Sequence, residues 1–151
     1  MEENIFQDIF RGKTVIVGIG NSLRGDDGFG PALVKRLQGR IGTVCIDAGS
    51  APENYVGKIT RENPQTILIV DALDLGLAPG KYMILKKEDI VKSGLSTHDI
   101  SPHMLIDYLE KQTNADIYVL GVQPKDISFG VEMSEEMNMT LEEVAECMSH
   151  I

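Results

Sequence analysis

The chain has 151 residues, of which 42% are apolar and 25% are charged, close to average globular usage. This size and composition predict one domain over residues 1–151. With 23 acidic against 14 basic residues, the net charge of −9 disfavours nucleic acid as a partner. The sequence contains neither an apolar run of the roughly 18–20 residues that span a membrane nor a basic, then apolar, secretory start. We therefore expect a cytoplasmic protein without membrane insertion.

Five short apolar runs, rich in β-branched residues, predict strands over 14–19, 44–46, 66–70, 82–85 and 117–122. Three amphipathic stretches predict helices over 31–38, 102–112 and 140–149, the last with Thr140 as its N-cap. This alternation is typical of a three-layer α/β fold, in which helices cover both faces of a mostly parallel five-stranded sheet. Residues 86–101 show the weakest pattern and are expected to form a loop.

The two cysteines, Cys45 and Cys147, lack the spacing of a structural zinc site. Each falls in an apolar pattern, so we expect both to be small buried hydrophobic residues.

Acidic residues follow three of the predicted strands. Asp26 and Asp27 follow the first strand, Asp47 the second, and Asp71 and Asp74 the third. Ligands bind beyond the carboxyl ends of strands in open α/β sheets, so these side chains are candidates for one site. Such an edge is costly to build unless a positive or protonatable group lies there.

Other chemistries fit the motifs less well. The third glycine of a GxGxxG dinucleotide motif would fall at Leu23, and the predicted helix begins only near Pro31. The chain has no GxSxG nucleophile motif. Asp47-Ala48-Gly49 is similar to an aspartic-protease turn, but a single copy does not make a catalytic dyad.

For metal binding, the useful partners of these carboxylates are histidines, and the chain has three of them, His98, His103 and His150. Two carboxylates and one histidine can hold a divalent transition ion such as nickel, iron or zinc with open coordination positions. By pattern alone, a histidine at a helix start is more typical of a surface position, and spacing leaves both interpretations open.

Five segments, taken in order, resemble the hydrogenase maturation endopeptidases. They are 18–30 (GIGNSLRGDDGFG), 47–54 (DAGSAPEN), 69–76 (IVDALDLG), 96–98 (STH) and 120–124 (LGVQP). Each motif is weak by itself, whereas the ordered combination is specific. The residues in these segments are most similar to those of the branch that processes large subunits of formate-hydrogenlyase or energy-converting NiFe hydrogenases.

The resemblance implies a single peptidase domain of the phosphorylase/hydrolase-like fold and an aspartic-type endopeptidase. Its partner would be the nickel-loaded hydrogenase large-subunit precursor, from which the enzyme removes a C-terminal extension after nickel insertion. The implied catalytic residues are Asp27 and Asp71. The implied nickel ligands are Asp27, Asp71 and His98, and His103 is the alternate ligand because a second branch uses a Ser-Pro-His motif. The nickel would be supplied by the substrate.

Two alternatives from other classes remain: a non-catalytic nickel-binding chaperone of the immature large subunit, and a small-molecule hydrolase. The other aspartates, Asp26, Asp47 and Asp74, are as compatible with a structural role as with a role in the site. In a structural role they would cap turns or pair with Arg24.

Overall fold

The computed structural model describes residues 4–93 and 102–150. Its five strands form one sheet in the order β2-β1-β3-β5-β4. The strands are β1 (Thr14–Ile19), β2 (Val44–Gly49), β3 (Thr66–Ala72), β4 (Tyr82–Leu85) and β5 (Asp116–Val122). The first, second, third and fifth strands pair in parallel, and β4 pairs antiparallel with β5. The predicted mostly parallel sheet is therefore confirmed.

Strands β2 and β3 extend past their predicted ends. The parallel ladder continues through the pairs Gly18 with Asp47 and Asp71 with Gly121. Apolar periodicity does not predict these strand ends, because Asp47 and Asp71 are polar and belong to their strands through backbone pairing.

Six α-helices lie in the described residues: α1 (Ile5–Ile9), α2 (Phe29–Leu37), α3 (Val56–Arg61), α4 (Lys87–Ser93), α5 (Pro102–Gln112) and α6 (Glu135–Ser149). Two short 3-10 helices, Gly25–Gly28 and Pro52–Tyr55, precede α2 and α3. The prediction for α5 is confirmed. Helices α1 and α3 were not predicted, because each is too short to show a clear helical period.

The predicted starts of two helices were wrong. Helix α2 begins at Phe29 because the Gly25–Gly28 turn runs straight into it, and Pro31 lies in its first turn, where a missing N–H is tolerated. Helix α6 begins at Glu135, and its N-cap is Ser134, whose side chain accepts a hydrogen bond from the amide of Met137. Thr140 lies inside α6.

The loop predicted over 86–101 is wrong in its first half, where Lys87–Ser93 forms α4. The helix dipole is stabilised by acidic residues in the first turn, Glu88 and Asp89, and by a basic residue in the last, Lys92. This charge pattern predicts a helix less strongly than apolar periodicity does. The predicted ligand His98 lies outside the described residues.

Two apolar cores cover the two faces of the sheet. One packs Val15 and Val17 of β1 with Ile59 of α3 and Leu105 of α5. The other packs Ile16, from the opposite face of β1, against α2 and α6. Because β1 is buried on both faces, its near-continuous apolar sequence is explained, and the three-layer prediction is confirmed.

The cysteines are less buried than expected. Cys45 and Cys147 are each only partly buried, at the margin of the core between the sheet, α2 and α6. This partial burial still raises the pKa of the Cys45 thiol.

Within residues 4–93 and 102–150, no helix combines the length and apolar character needed to cross a lipid bilayer.

Candidate functional site

The site begins where β1 ends. After Ile19 the chain turns at Gly20, whose φ of 146° favours glycine. A Cβ placed on Gly20 would lie 1.8 Å from the carbonyl oxygen of Asp27. The backbone at Asp27 is therefore packed directly over the end of β1, and only glycine permits this approach.

Asp27 lies in the Gly25–Gly28 turn, and its residue is only 6% exposed. Its Oδ2 accepts a hydrogen bond of 2.9 Å from the backbone amide of Asn21. The same turn contacts β3. These contacts hold the carboxylate of Asp27 at the carboxyl end of the sheet.

Asp71 reaches the same edge from β3. In the parallel pairing of β1 with β3, Gly18 lies opposite Val70, so Asp71 follows one position beyond this pair. It pairs with Gly121 of β5 on its other side and is 5% exposed. The structure thus brings the two predicted catalytic carboxylates, Asp27 and Asp71, to the carboxyl ends of two adjacent strands.

Three further aspartates of the predicted edge have backbone partners. Asp47 accepts from the amide of Gly49 at 2.9 Å, and Asp74 accepts from the amide of Gly76 at 3.2 Å. Asp26 is fully buried and accepts hydrogen bonds from residues 125–134. Among the described residues no ion pair joins Arg24 to any of them; the Arg24 side chain donates to the carbonyl of Ile127. The contacts support the turn-capping interpretation for Asp47 and Asp74, whereas Asp26 binds a segment distant in sequence.

Two residues that support the site, Asn21 and Gln123, were not predicted from the sequence to have a role there. Asn21 donates its amide to Asp27 and accepts from the amide of Leu23, so it shapes the first loop. Gln123, almost fully buried at the end of β5, accepts at 2.6 Å from the amide of Leu75, in the loop that follows Asp71. A polar residue directly after a buried strand was the available signal for Gln123.

His103, the alternate ligand, lies in the first turn of α5. Its Nδ1 is 3.6 Å from Oδ2 of Asp107, one helical turn away. Lys87 lies 2.6 Å from the same carboxyl group, and its hydrogen bond lowers the pKa of Asp107. Hydrogen bonds to Asp107 and Glu110 in turn raise the pKa of Lys87 to about 12. The described neighbours of His103 therefore form a surface ion-pair network.

The donor chemistry of Asp27 and Asp71 suits a divalent transition ion in part. Carboxylate oxygens bind such ions, and a histidine nitrogen would complete the predicted set. Within the described ranges, no three histidine, cysteine, aspartate or glutamate side chains are grouped so as to hold a metal, and Asp27, Asp71 and His103 do not form such a group. The two predicted carboxylate ligands, Asp27 and Asp71, lie at the same edge of the sheet, and the predicted histidine ligand His98 lies outside the described residues.

A groove of about 660 Å³ lies beside the Asp27 turn. Its walls include Ser22 and Gly28 from the first loop, Pro31 and Lys35 from α2, and Val131. The groove therefore borders the turn that carries Asp27.

A mostly parallel α/β sheet with buried carboxylates at the carboxyl ends of adjacent central strands defines an α/β protein with an acidic site where such folds bind ligands. A family model described as hydrogenase maturation protease matches residues 31–150. The chain belongs to the hydrogenase maturation protease family, and it is a peptidase.

Individual relatives agree with this assignment. The chain is 38% identical over 133 residues to the Hydrogenase 3 maturation protease of Escherichia coli (strain K12), covering 86% of this chain and 85% of that protein. It is 35% identical over 138 residues to a putative hydrogenase maturation protease of Methanocaldococcus jannaschii, covering 85% and 81%. The crystal structure of the NiFe hydrogenase maturation protease HycI from Thermococcus kodakarensis KOD1 matches with a TM-score of 0.88 and 33% identity over 97% of each chain. The predicted family and branch are confirmed.

Proposed function

We propose that this peptidase removes the C-terminal extension of a NiFe hydrogenase large-subunit precursor in the cytoplasm. In this proposal Asp27, Asp71 and His98 recognise the nickel of the precursor, with His103 as the alternate to His98. The observation that carries the proposal is the placement of two buried carboxylates, from adjacent elements, at the end of the sheet where such enzymes bind ligands.

Electrostatics explains why this pair of carboxylates would favour a precursor that contains nickel. Burial disfavours the charged form of a carboxylate, and two carboxylates at one edge disfavour each other's charge. A divalent cation on the bound precursor offsets both effects. A precursor without nickel would forgo this attraction, so cleavage would act as a checkpoint for metal insertion.

The same carboxylates have a chemical use at the scissile bond. An ionised aspartate within hydrogen-bond reach of a water molecule orients it and accepts its proton as it attacks the carbonyl carbon. We assign this positioning of water to Asp27 and Asp71.

Nickel dependence is tested by following the intact mass of two precursors, one loaded with nickel and one nickel-free. We expect loss of a discrete C-terminal peptide from the loaded precursor and cleavage slower by about 100-fold, or about 2.7 kcal/mol, for the nickel-free one. Equal rates would contradict nickel recognition while leaving the peptidase in place. An unchanged mass with nickel nevertheless bound would support a nickel-binding chaperone instead. Rapid cleavage of short generic peptides would support a less selective hydrolase.

Two exposed apolar side chains flank the Asp27 turn. Leu23 is 64% exposed and Phe129 is 73% exposed. Their loops are joined by a 2.8 Å hydrogen bond from the amide of Gly130 to the carbonyl of Leu23. Scattered exposed apolar residues are normal, but two on paired loops beside an active site indicate a contact for the substrate. We assign them to binding the precursor.

Replacing Phe129 with serine is expected to raise KM for the precursor by about tenfold, the usual cost of losing an aromatic anchor, with little change in kcat. The effect is confined to KM because Phe129 does not touch Asp27 or Asp71 in this assignment. Initial rates at several precursor concentrations provide the measurement.

The matched control for Phe129 is Met139→Ser on α6, where the methionine is 67% exposed and lies beside Gly80. It should leave both constants unchanged. If Phe129→Ser behaves like Met139→Ser, Phe129 has no role in binding the precursor.

A further inference from the structure

Asp26 has more hydrogen-bond partners than a turn-capping aspartate needs. The residue is 0% exposed. Its Oδ2 accepts from the amides of Lys125 (2.8 Å) and Asp126 (3.2 Å) and from the hydroxyl of Ser134 (2.9 Å). Its Oδ1 accepts from the amide of Ser134 at 2.7 Å. The four bonds satisfy both carboxylate oxygens and join the Gly25–Gly28 turn to a segment about 100 residues away in sequence.

The backbone strengthens this junction. The amide of Asp26 donates to the carbonyl of Asp126 at 2.9 Å, so the two segments are bonded in both directions. A Cβ at Gly25 would lie 2.5 Å from that same carbonyl oxygen and 2.6 Å from Cγ2 of Val131. With its φ of 52°, Gly25 allows the turn to approach the 125–134 segment closely.

Ser134 connects the junction to the rigid part of the fold. The same hydroxyl that donates to Asp26 accepts from the amide of Met137 and caps α6. Met137 is fully buried in the core between α2, α6 and the sheet. The Gly25–Gly28 turn is therefore anchored through Asp26 to a packed helix.

Asp27, the next residue, is bonded in another direction, to the amide of Asn21 in the first loop. We propose that Asp26 is a positioning residue, which holds the Gly25–Gly28 turn against residues 125–134 so that the carboxylate of Asp27 is correctly placed for the reaction. This inference rests on the role of Asp27 in the proposed function.

A carboxylate is the chemical requirement at this position. Both oxygens of Asp26 face backbone amides, at Lys125, Asp126 and Ser134. An asparagine of the same size would direct its NH2 group at one of these N–H donors in either orientation. The variant Asp26→Asn therefore breaks the junction without changing the volume of the side chain.

The test compares Asp26→Asn with Thr140→Val, a matched control on α6. The Thr140 hydroxyl donates to the carbonyl of Gly80 at 2.6 Å, so the control also loses a buried bond between distant segments. It lies away from the Asp27 turn. Both variants should lower Tm. For Asp26→Asn alone, we expect kcat to fall about 10- to 100-fold, as misplacement by about 1 Å does, with KM changed less than about twofold.

A second readout uses the enzyme without substrate. The amide of Asn21 donates to Asp27, so displacement of Asp27 should accelerate hydrogen exchange at the Asn21 amide. We expect an increase of about tenfold or more in Asp26→Asn and no increase in Thr140→Val. Unchanged kcat and unchanged Asn21 exchange, with a lower Tm, would overturn the proposal and make Asp26 a stabilising residue only. Because this exchange is measured without precursor, it decides the position of Asp27 even if the proposed reaction fails.

If Asp26→Asn does not fold, Ser134→Ala takes its place. This variant removes one of the four bonds to Asp26 together with the N-cap of α6, and keeps the bond from its own amide. We expect the same changes in kcat and Asn21 exchange at smaller size. An unchanged kcat and unchanged exchange in Ser134→Ala would equally overturn the proposal.

Discussion

Replacing Asp27 with asparagine is expected to abolish cleavage of the precursor, lowering kcat by about 1,000-fold or more while the protein stays folded. The amide oxygen of asparagine can still accept from the amide of Asn21, so the first loop keeps its local bond. What is lost is the negative charge, which the proposed function uses to bind nickel and to orient water. Asp71→Asn should have an effect of the same order, because its carboxylate has the same assigned role.

The measurement is a time course of intact precursor mass beside a thermal unfolding curve. Asp74→Asn is the matched control, since Asp74 lies exposed in the loop that follows Asp71 and its Oδ1 accepts from the amide of Gly76. An asparagine oxygen can accept the same bond, so this variant should cleave at the rate of the native enzyme. Normal cleavage by Asp27→Asn would exclude its carboxylate from the reaction and from nickel recognition.

Gly30→Ala is expected to destabilise the protein by about 3 kcal/mol or more, within the range of severe backbone and packing defects. A Cβ on Gly30 would lie 2.5 Å from the carbonyl oxygen of Ile19 and 2.6 Å from both the amide nitrogen of Ile19 and the carbonyl oxygen of Val70. All three atoms belong to the backbone of β1 and β3, so the clash cannot be relieved by the movement of a flexible side chain. Helix α2 would have to separate from the sheet beside the active site.

Urea unfolding of Gly30→Ala and of Gly57→Ala separates this effect from helix propensity. Gly57 lies in α3, and nothing lies within 4 Å of a Cβ placed there. Alanine at Gly57 should stabilise the protein by about 0.4–1 kcal/mol, because it reduces the entropy of the unfolded chain. Similar stability for Gly30→Ala and the native protein would show that α2 can move without cost, contrary to the close contact.

The sequence was informative wherever a single strand or helix carries a strong period. Strand β1 is apolar throughout because both of its faces are buried, and α5 presents a clear amphipathic pattern. Prediction was poorer where a short polar contact decides the boundary. The start of α6 depends on the Ser134 hydroxyl, whereas Thr140, which looks like a cap in the sequence, donates to the distant carbonyl of Gly80.

By itself, the sequence determined the family, the order of strands along the chain, and the presence of carboxylates after successive strands. Parallel pairing then requires Asp27 and Asp71 to meet at one edge, since the carboxyl ends of parallel strands lie together. Residue chemistry and spacing do not distinguish Asp26 from Asp27, because adjacent aspartates are chemically identical; the family resemblance alone pointed to Asp27. Only the tertiary structure shows the physical difference: Asp26 accepts its hydrogen bonds from residues about 100 positions away in the sequence, whereas Asp27 accepts one from the amide of nearby Asn21, because folding brings the 125–134 segment against one carboxylate and the first loop against the other.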